Sequence, residues 1–423
     1  MDEPRHRAPS GYWDSPWPAE DGGPTRRAVP HRRGGTGLIP GGAVEVVHRE
    51  VFAATMVVLR DPGETYLLRH TIGADATCWV ERIDGDSLEE VERSPDLGGG
   101  PWWPGGVAVH ANGDLYVVFD HHAHRLAPDC SVVASRRLPR DRPYNSFVVL
   151  DDGTIVTKDF GKDTDEPAEL LALEPEGLEI VDRLVLPERS IARLSAHGTT
   201  TYVVGDRSLL RARWDGATLA LDDGFSPVYV TEEGQTYGWD VVLAAGAGWL
   251  LDDGEGTEGF QGSFRGVSSS PGPLHLVRIG LDDAAVTLTE VCGRPNGIVA
   301  NPPLVDTTRN LAVAFDSANA VLAAFRFDGD GVVDPAPVWS RSQGHGAHFL
   351  LYPDTGEVVT MDHEPDRVGE HGEEVVVVDI ETGTELVRAA TNSPLQSVVF
   401  PAPAWSGGVH TVSFASLTCV RPA

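Results

Sequence analysis

A short signal returns eight times along this chain of 423 residues: a hydrophobic strand, a turn, a second strand, and in most copies an aspartate closing it. The clearest copies of the second strand are NGDLYVVFD (112–120), DGTIVTKD (152–159), TTYVVGD (200–206), GWLLDD (248–253), NLAVAFD (310–316) and EVVTMD (357–362). Two degenerate copies, GETYLLRH (63–70) and VHTVSFA (409–415), flank them. Counted at the first strand of each pair, near Thr55, Gly105, Asn145, Ser190, Asp240, Asn296, His348 and Gln396, the copies lie 40 to 56 residues apart. Short strands repeating at that interval specify a β-propeller, one four-stranded sheet per blade, because a single copy cannot bury its own apolar face.

The expected class is therefore all-β: one eight-bladed propeller domain over residues 37–423. Runs of Val, Leu, Ile, Thr and Tyr bounded by Gly, Asp and Pro dominate, and helical periodicity is nearly absent. A lone strand, AVEVVHREV (43–51), precedes the first pair, while the last repeat supplies only three strands (396–402, 409–415 and 417–422). Joined, the two ends make one four-stranded blade, and closing the ring this way removes exposed sheet edges. Residues 1–36 show no strand pattern. They are expected to form a mobile or surface-draped arm, with Trp13 and Trp17 as its candidate anchors, and its loss should matter little.

A net charge of −30 argues against nucleic acid or anionic membrane as partner, since both need clustered Lys and Arg. No stretch reaches 18 apolar residues, and the N-terminus has no apolar run of the kind that directs export. Cys78, Cys130, Cys292 and Cys419 are scattered without CxxC spacing, so reduced thiols and a cytoplasmic location are expected.

Lettering the strands A to D from the channel outward, strand A begins and strand B ends on one face. The B–C and D–A connections lie there too. Aligned repeats put one residue per blade at the mouth of strand A: Thr55, Gly105, Asn145, Ser190, Asp240, Asn296, His348 and Gln396. None is a large apolar residue, so the ring reads either as a hydrated polar channel or as a donor set for a ligand or metal. Asn145, Asp240, Asn296 and His348 are the candidate ligands of a divalent cation. A second ring closes strand B: His70, Asp120, Asp159, Asp206, Asp253, Asp316 and Asp362, with Ala415 breaking the pattern. Aspartate caps turns, and most of these are expected to do so. Asp316 and Asp362, with His345 one turn upstream of His348, are the candidates to activate water. Lys158 reads as surface charge. Three B–C connections are long (161–168, 254–273 and 363–374), and the second has the length of a flexible lid.

One stretch, GRPNGIVANPP (293–303) followed by NLAVAFDSANAVLAAFRFDGDG (310–331), resembles the PNG and VADS signatures of gluconolactonase/regucalcin-like propellers. The resemblance implies a divalent cation, usually calcium, in the central channel. It implies Asn296 as ligand, Asp316 as second ligand or base, and Asn145 as a further amide ligand. That family has six blades where eight repeats stand here, and its acidic first-blade ligand has no counterpart at Thr55 or His70. Two functions follow. One is a metal-assisted enzyme acting on a small polar molecule such as a lactone or ester, the cation polarising its carbonyl. The alternative is a non-catalytic propeller that binds a protein or small-molecule partner on the same face.

Overall fold

The computed structural model describes residues 8–31, 43–100, 104–162, 164–267, 270–364 and 372–423. It is an eight-bladed propeller with almost no helix. Blade 1 runs Ala54–Leu59, Thr65–His70, Ala76–Ile83 and Glu90–Arg93, with Leu97–Gly100 continuing its outer edge. Blades 2 to 7 begin at Gly106, Tyr144, Ser195, Val242, Leu304 and Leu350. The last blade takes Ala402–Pro403, Val409–Val412 and Ser416–Pro422 from the C-terminal side and Val44–Glu50 as its outermost strand. Val44 pairs with Pro422 and Glu50 with Ser416, with unbroken antiparallel register between. The ring closes as the repeat count predicts.

Burial explains the strand composition. Inner strands are packed on both faces and read as continuous apolar runs; Ala54–Leu59 is buried throughout. Outer strands such as Ile180–Val185 alternate half-buried and exposed residues. Every A–B turn carries a left-handed residue: Gly63, Gly113, Gly153, Gly198, Gly246, Asn310, Gly356 and Gly407. Glycine reaches positive φ without a Cβ clash, and asparagine is the side chain that best tolerates it. The four cysteines are free thiols. Among the described residues no helix is long and apolar enough to cross a membrane.

The arm departs from expectation. Its described part, residues 8–31, enters the channel from the A–B face and is largely buried, with Trp17 wholly enclosed. It belongs to no sheet. Instead its backbone carbonyls meet amides at the ends of the inner strands: Trp17 O accepts from Leu59, Pro18 O from Val109, Pro24 O from Ala196, Thr25 O from Leu243 and Ala28 O from Leu351, at 2.7–2.9 Å. The Tyr12 hydroxyl accepts from the Val149 amide, and Arg27 reaches the Thr307 hydroxyl. Among the described residues these hydrogen bonds reach seven blades. A tight turn at Glu20–Gly22, with Asp21 and Gly22 at positive φ, lifts two carboxylates into the channel.

Candidate functional site

The channel holds a buried ion network built by arm and ring together. Arg26 of the arm donates through Nε to Leu194 O at 2.9 Å, and through Nη1 to Asp21 at 2.8 Å. Its Nη1 also stands 3.6 Å from Asp240 Oδ2, while Nη2 is paired with Glu20 and lies 3.4 Å from Ser146 Oγ. Arg193 donates its amide to Asp240 Oδ1 at 2.6 Å, and its guanidinium spans the channel to Glu20 and Pro104 O. His348 pairs with Asp21 at 2.9 Å, and its ring packs on Phe400, over which Arg193 also lies.

Each charge is compensated. Burial pushes the Asp21 carboxyl up, but His348 and Arg26 outweigh it and hold the group below its ordinary value. Burial opposes the charge on Arg26, yet Glu20, Asp240 and Asp21 keep it well above the usual guanidinium range. Buried charges persist only when paired and hydrogen-bonded in this way.

The structure places the candidate ligands unevenly. Asp240 and His348 both face this cluster, bridged by Arg26 and Asp21 of the arm. Asn145 is buried one residue away from it, with Nδ2 donating to Ile191 O, and Ser146 takes the channel-facing place. Asn296 lies in the link that follows Val286–Pro295, with its amide on Ser270 O. Of the four, Asp240 and His348 are the pair that the arm's ion network joins. Calcium takes six to eight oxygens, and here Asp240 already serves the Arg193 amide and faces a guanidinium. These residues do not fit the cation while the arm is in place. Among the described residues no group of three or more His, Cys, Asp or Glu is arranged to hold a metal ion.

The water-activating candidates are engaged structurally. His345 is buried between Phe315 and Phe349, accepts the Met361 amide, and burial pushes it down to about 3. Asp316 accepts the amides of Ile298 and Asn319, and burial raises it. Asp362 accepts the Gly344 amide and pairs with Arg388. Those contacts follow one rule. The aspartate ending strand B grips the segment entering strand A of its own blade: Arg140 and Arg142 for Asp159, Arg189 for Asp206, the Thr236 amide for Asp253, the Ile298 amide for Asp316 and the Gly344 amide for Asp362. For Asp120 the corresponding residues 101–103 lie outside the described residues. The repeated aspartate is a clasp, as its turn-forming chemistry suggests.

Glu20, Asp21, Arg26, Ser146 and Arg193 complete the cluster without having stood out in the repeat pattern. Asp240 and His348 each sit three residues before the amide that meets the arm, and the same offset gives Ser146 and Arg193. A register shift between Tyr144 and Ser146 displaced the alignment in blade 3. Lys158 is not a surface charge. It is buried, donates to Asp159 O and Ser190 O, and burial pushes it down to about 8. The 254–273 connection does cross the B–C face, but it is fastened there. Phe264 is buried against Ile298, Ala300 and Ala318, its amide donates to Gln396 Oε1, and Arg265 pairs with Glu364.

No protein-family model matches the chain, and no curated protein matches it in sequence. Solved structures similar in fold include BamB from Moraxella catarrhalis, at 10% identity and a TM-score of 0.57, covering 89% of this chain and 100% of that one. The quinohemoprotein alcohol dehydrogenase ADHIIG from Pseudomonas putida HK5 matches at 10% identity and TM-score 0.62, covering 97% of this chain and 80% of that one. The quinohemoprotein alcohol dehydrogenase from Comamonas testosteroni matches at 11% identity and TM-score 0.62, covering 96% and 80%. At such identities the likeness is one of fold alone.

Proposed function

We propose that this chain is a binding propeller whose working surface is the B–C face, and not a metal-assisted hydrolase at the channel mouth. The observation that carries this reading is the position of Arg26. A guanidinium stands between Asp240 and Asp21, where a catalytic cation would need those oxygens. With the arm in place Asp240, His348, Arg193 and Ser146 are engaged by it, so the chemistry accessible in that state lies on the outer faces.

The B–C face also carries what a partner surface needs. Phe52 is 60% exposed, Ile72 54% and Leu395 36%. Phe260 stacks on Phe414, whose carbonyl accepts the Ala53 amide beside Phe52, so these groups run from the 254–273 loop across blade 8 to blade 1. Glu50, Asp75, Glu255 and Glu258 are exposed near them, which suits a partner segment carrying both apolar and basic side chains.

Metal analysis with melting curves in calcium and in chelator tests the choice. The binding reading expects no stoichiometric divalent ion and the same melting temperature in both. About one ion per chain, with a matched fall in melting temperature on chelation, would overturn it in favour of the metal-assisted enzyme.

A further inference from the structure

We infer that the channel is a peptide-binding site, that its ligand class is an extended, arginine-bearing segment, and that residues 8–31 occupy it reversibly while the eight blades stay closed. Three observations converge on this. First, the ring does not need the arm to close: Val44–Glu50 completes the last blade by pairing with Ser416–Pro422. Second, the arm joins no strand ladder, and its one β-bridge is Tyr12 with His110. Third, its contacts are those of a docked peptide. Carbonyls of Trp17, Pro18, Pro24, Thr25 and Ala28 meet amides from five blades, and one side chain, Arg26, is held by Leu194 O, Ser146 and Asp240 of the ring. Glu20 and Asp21 bring their own charges to Arg193 and His348, so the segment and the site are complementary in both signs. Contacts between separable partners, backbone carbonyls for affinity and one buried arginine for specificity, have this composition.

Native-state hydrogen exchange on the full chain tests reversibility. The amides of Leu59, Val109, Ala196, Leu243 and Leu351 should exchange as one group with Gly22, Arg26 and Ala28 of the arm. That group should run at least about tenfold faster than Val377 in the ladder of blade 7, because it opens below the global unfolding free energy. Arg26→Met should speed the group by about 100-fold and Val377 by no more than that factor, because both exchange from the same arm-bound state that the substitution destabilises. A labelled peptide of residues 8–31 should then bind the Arg26→Met chain saturably. It should bind the wild-type chain about 100-fold more weakly or less, since the tethered arm competes at high effective concentration. Exchange of the arm group at the rate of Val377 in the wild-type chain would overturn the inference, because the arm would leave only with global unfolding. Failure of the peptide to bind the Arg26→Met chain while its blades remain protected would overturn it as well.

Discussion

Asp159 and Asp206 occupy the same place in successive blades, yet replacing each by alanine should have very different consequences. Asp159 is fully buried. Its Oδ2 takes Arg140 at 2.9 Å and Arg142 at 3.0 Å, and its Oδ1 accepts the Glu169 amide at 2.5 Å across the B–C connection. Asp159→Ala orphans the Glu169 amide and takes the buried carboxylate from two guanidiniums, of which Arg140 keeps Pro167 O and Arg142 keeps Glu166. Breaking a buried ion pair costs about 3–5 kcal/mol, and an orphaned amide adds about 1–3. Arg140 and Arg142 keep some water, so about 3–4 kcal/mol is the expected loss. Asp206 is 32% exposed and Arg189 23%, and a pair in that setting is worth about 0–1 kcal/mol. The contrast, about 3 kcal/mol, should appear in urea unfolding as a lower midpoint at unchanged slope for Asp159→Ala and nearly wild-type behaviour for Asp206→Ala. In a thermal scan a chain of this length has a large unfolding entropy, so the same difference shifts the midpoint by only about 3 °C. Equal losses in the two variants would refute the clasp argument, since burial would then not be deciding the cost.

Glu373 is a buried carboxyl pushed up to about 8 by burial, against the amide of Ser397 and the hydroxyl of Thr391, which favour its charged form. A folded value above the unfolded one gives stability that is full below about pH 4.5 and lost as pH rises through 8. Glu373→Gln lacks that loss and should gain on wild type across this window, by up to about 5 kcal/mol at its end; a constant difference from pH 5 to 8 would contradict the assignment. Phe52→Ser and Ile72→Ser should each change unfolding free energy by no more than about 0.5 kcal/mol, because exposed side chains on a binding face carry little of the fold. A loss beyond about 1.5 kcal/mol in chemical denaturation would mark them as structural.

The architecture was legible because it is written in period and punctuation. Eight strand pairs, left-handed glycines at the A–B turns and unequal strand numbers at the two ends leave one closed ring as the solution. The site was less legible, for two physical reasons. A channel-facing position is defined by register, and one bulge at Asn145 moves the facing side chain to Ser146. Blade entries also differ in length, so that Asn296 aligns in sequence while seven residues separate it from the inner strand Leu304–Asp306. Asp240 and His348 were found because their blades keep the common offset.

The arm's burial has a more instructive physical reason. Closing a ring removes its lateral edges, but strand A of each blade still turns one edge to the channel. The amides of Leu59, Val109, Ala196, Leu243 and Leu351 lie on that edge. Buried and unpaired, each donor would cost about 1–3 kcal/mol. A filler must therefore bring acceptors while adding few donors of its own. Proline does this, since it keeps its carbonyl, has no N–H, and holds the chain extended. Pro16, Pro18 and Pro24 all accept within the described arm, from His31, Val109 and Ala196. The proline content that reads as disorder in an isolated segment is thus also the composition of a segment built to line strand edges. What separates the two cases is the adjacent signal: an enclosed tryptophan, Trp17, and an acidic pair, Glu20 and Asp21, set opposite an arginine, Arg26, across a Gly-Gly turn. A disordered arm has no use for a charge set that compensates itself, whereas a segment entering a low-dielectric channel cannot be stable without one.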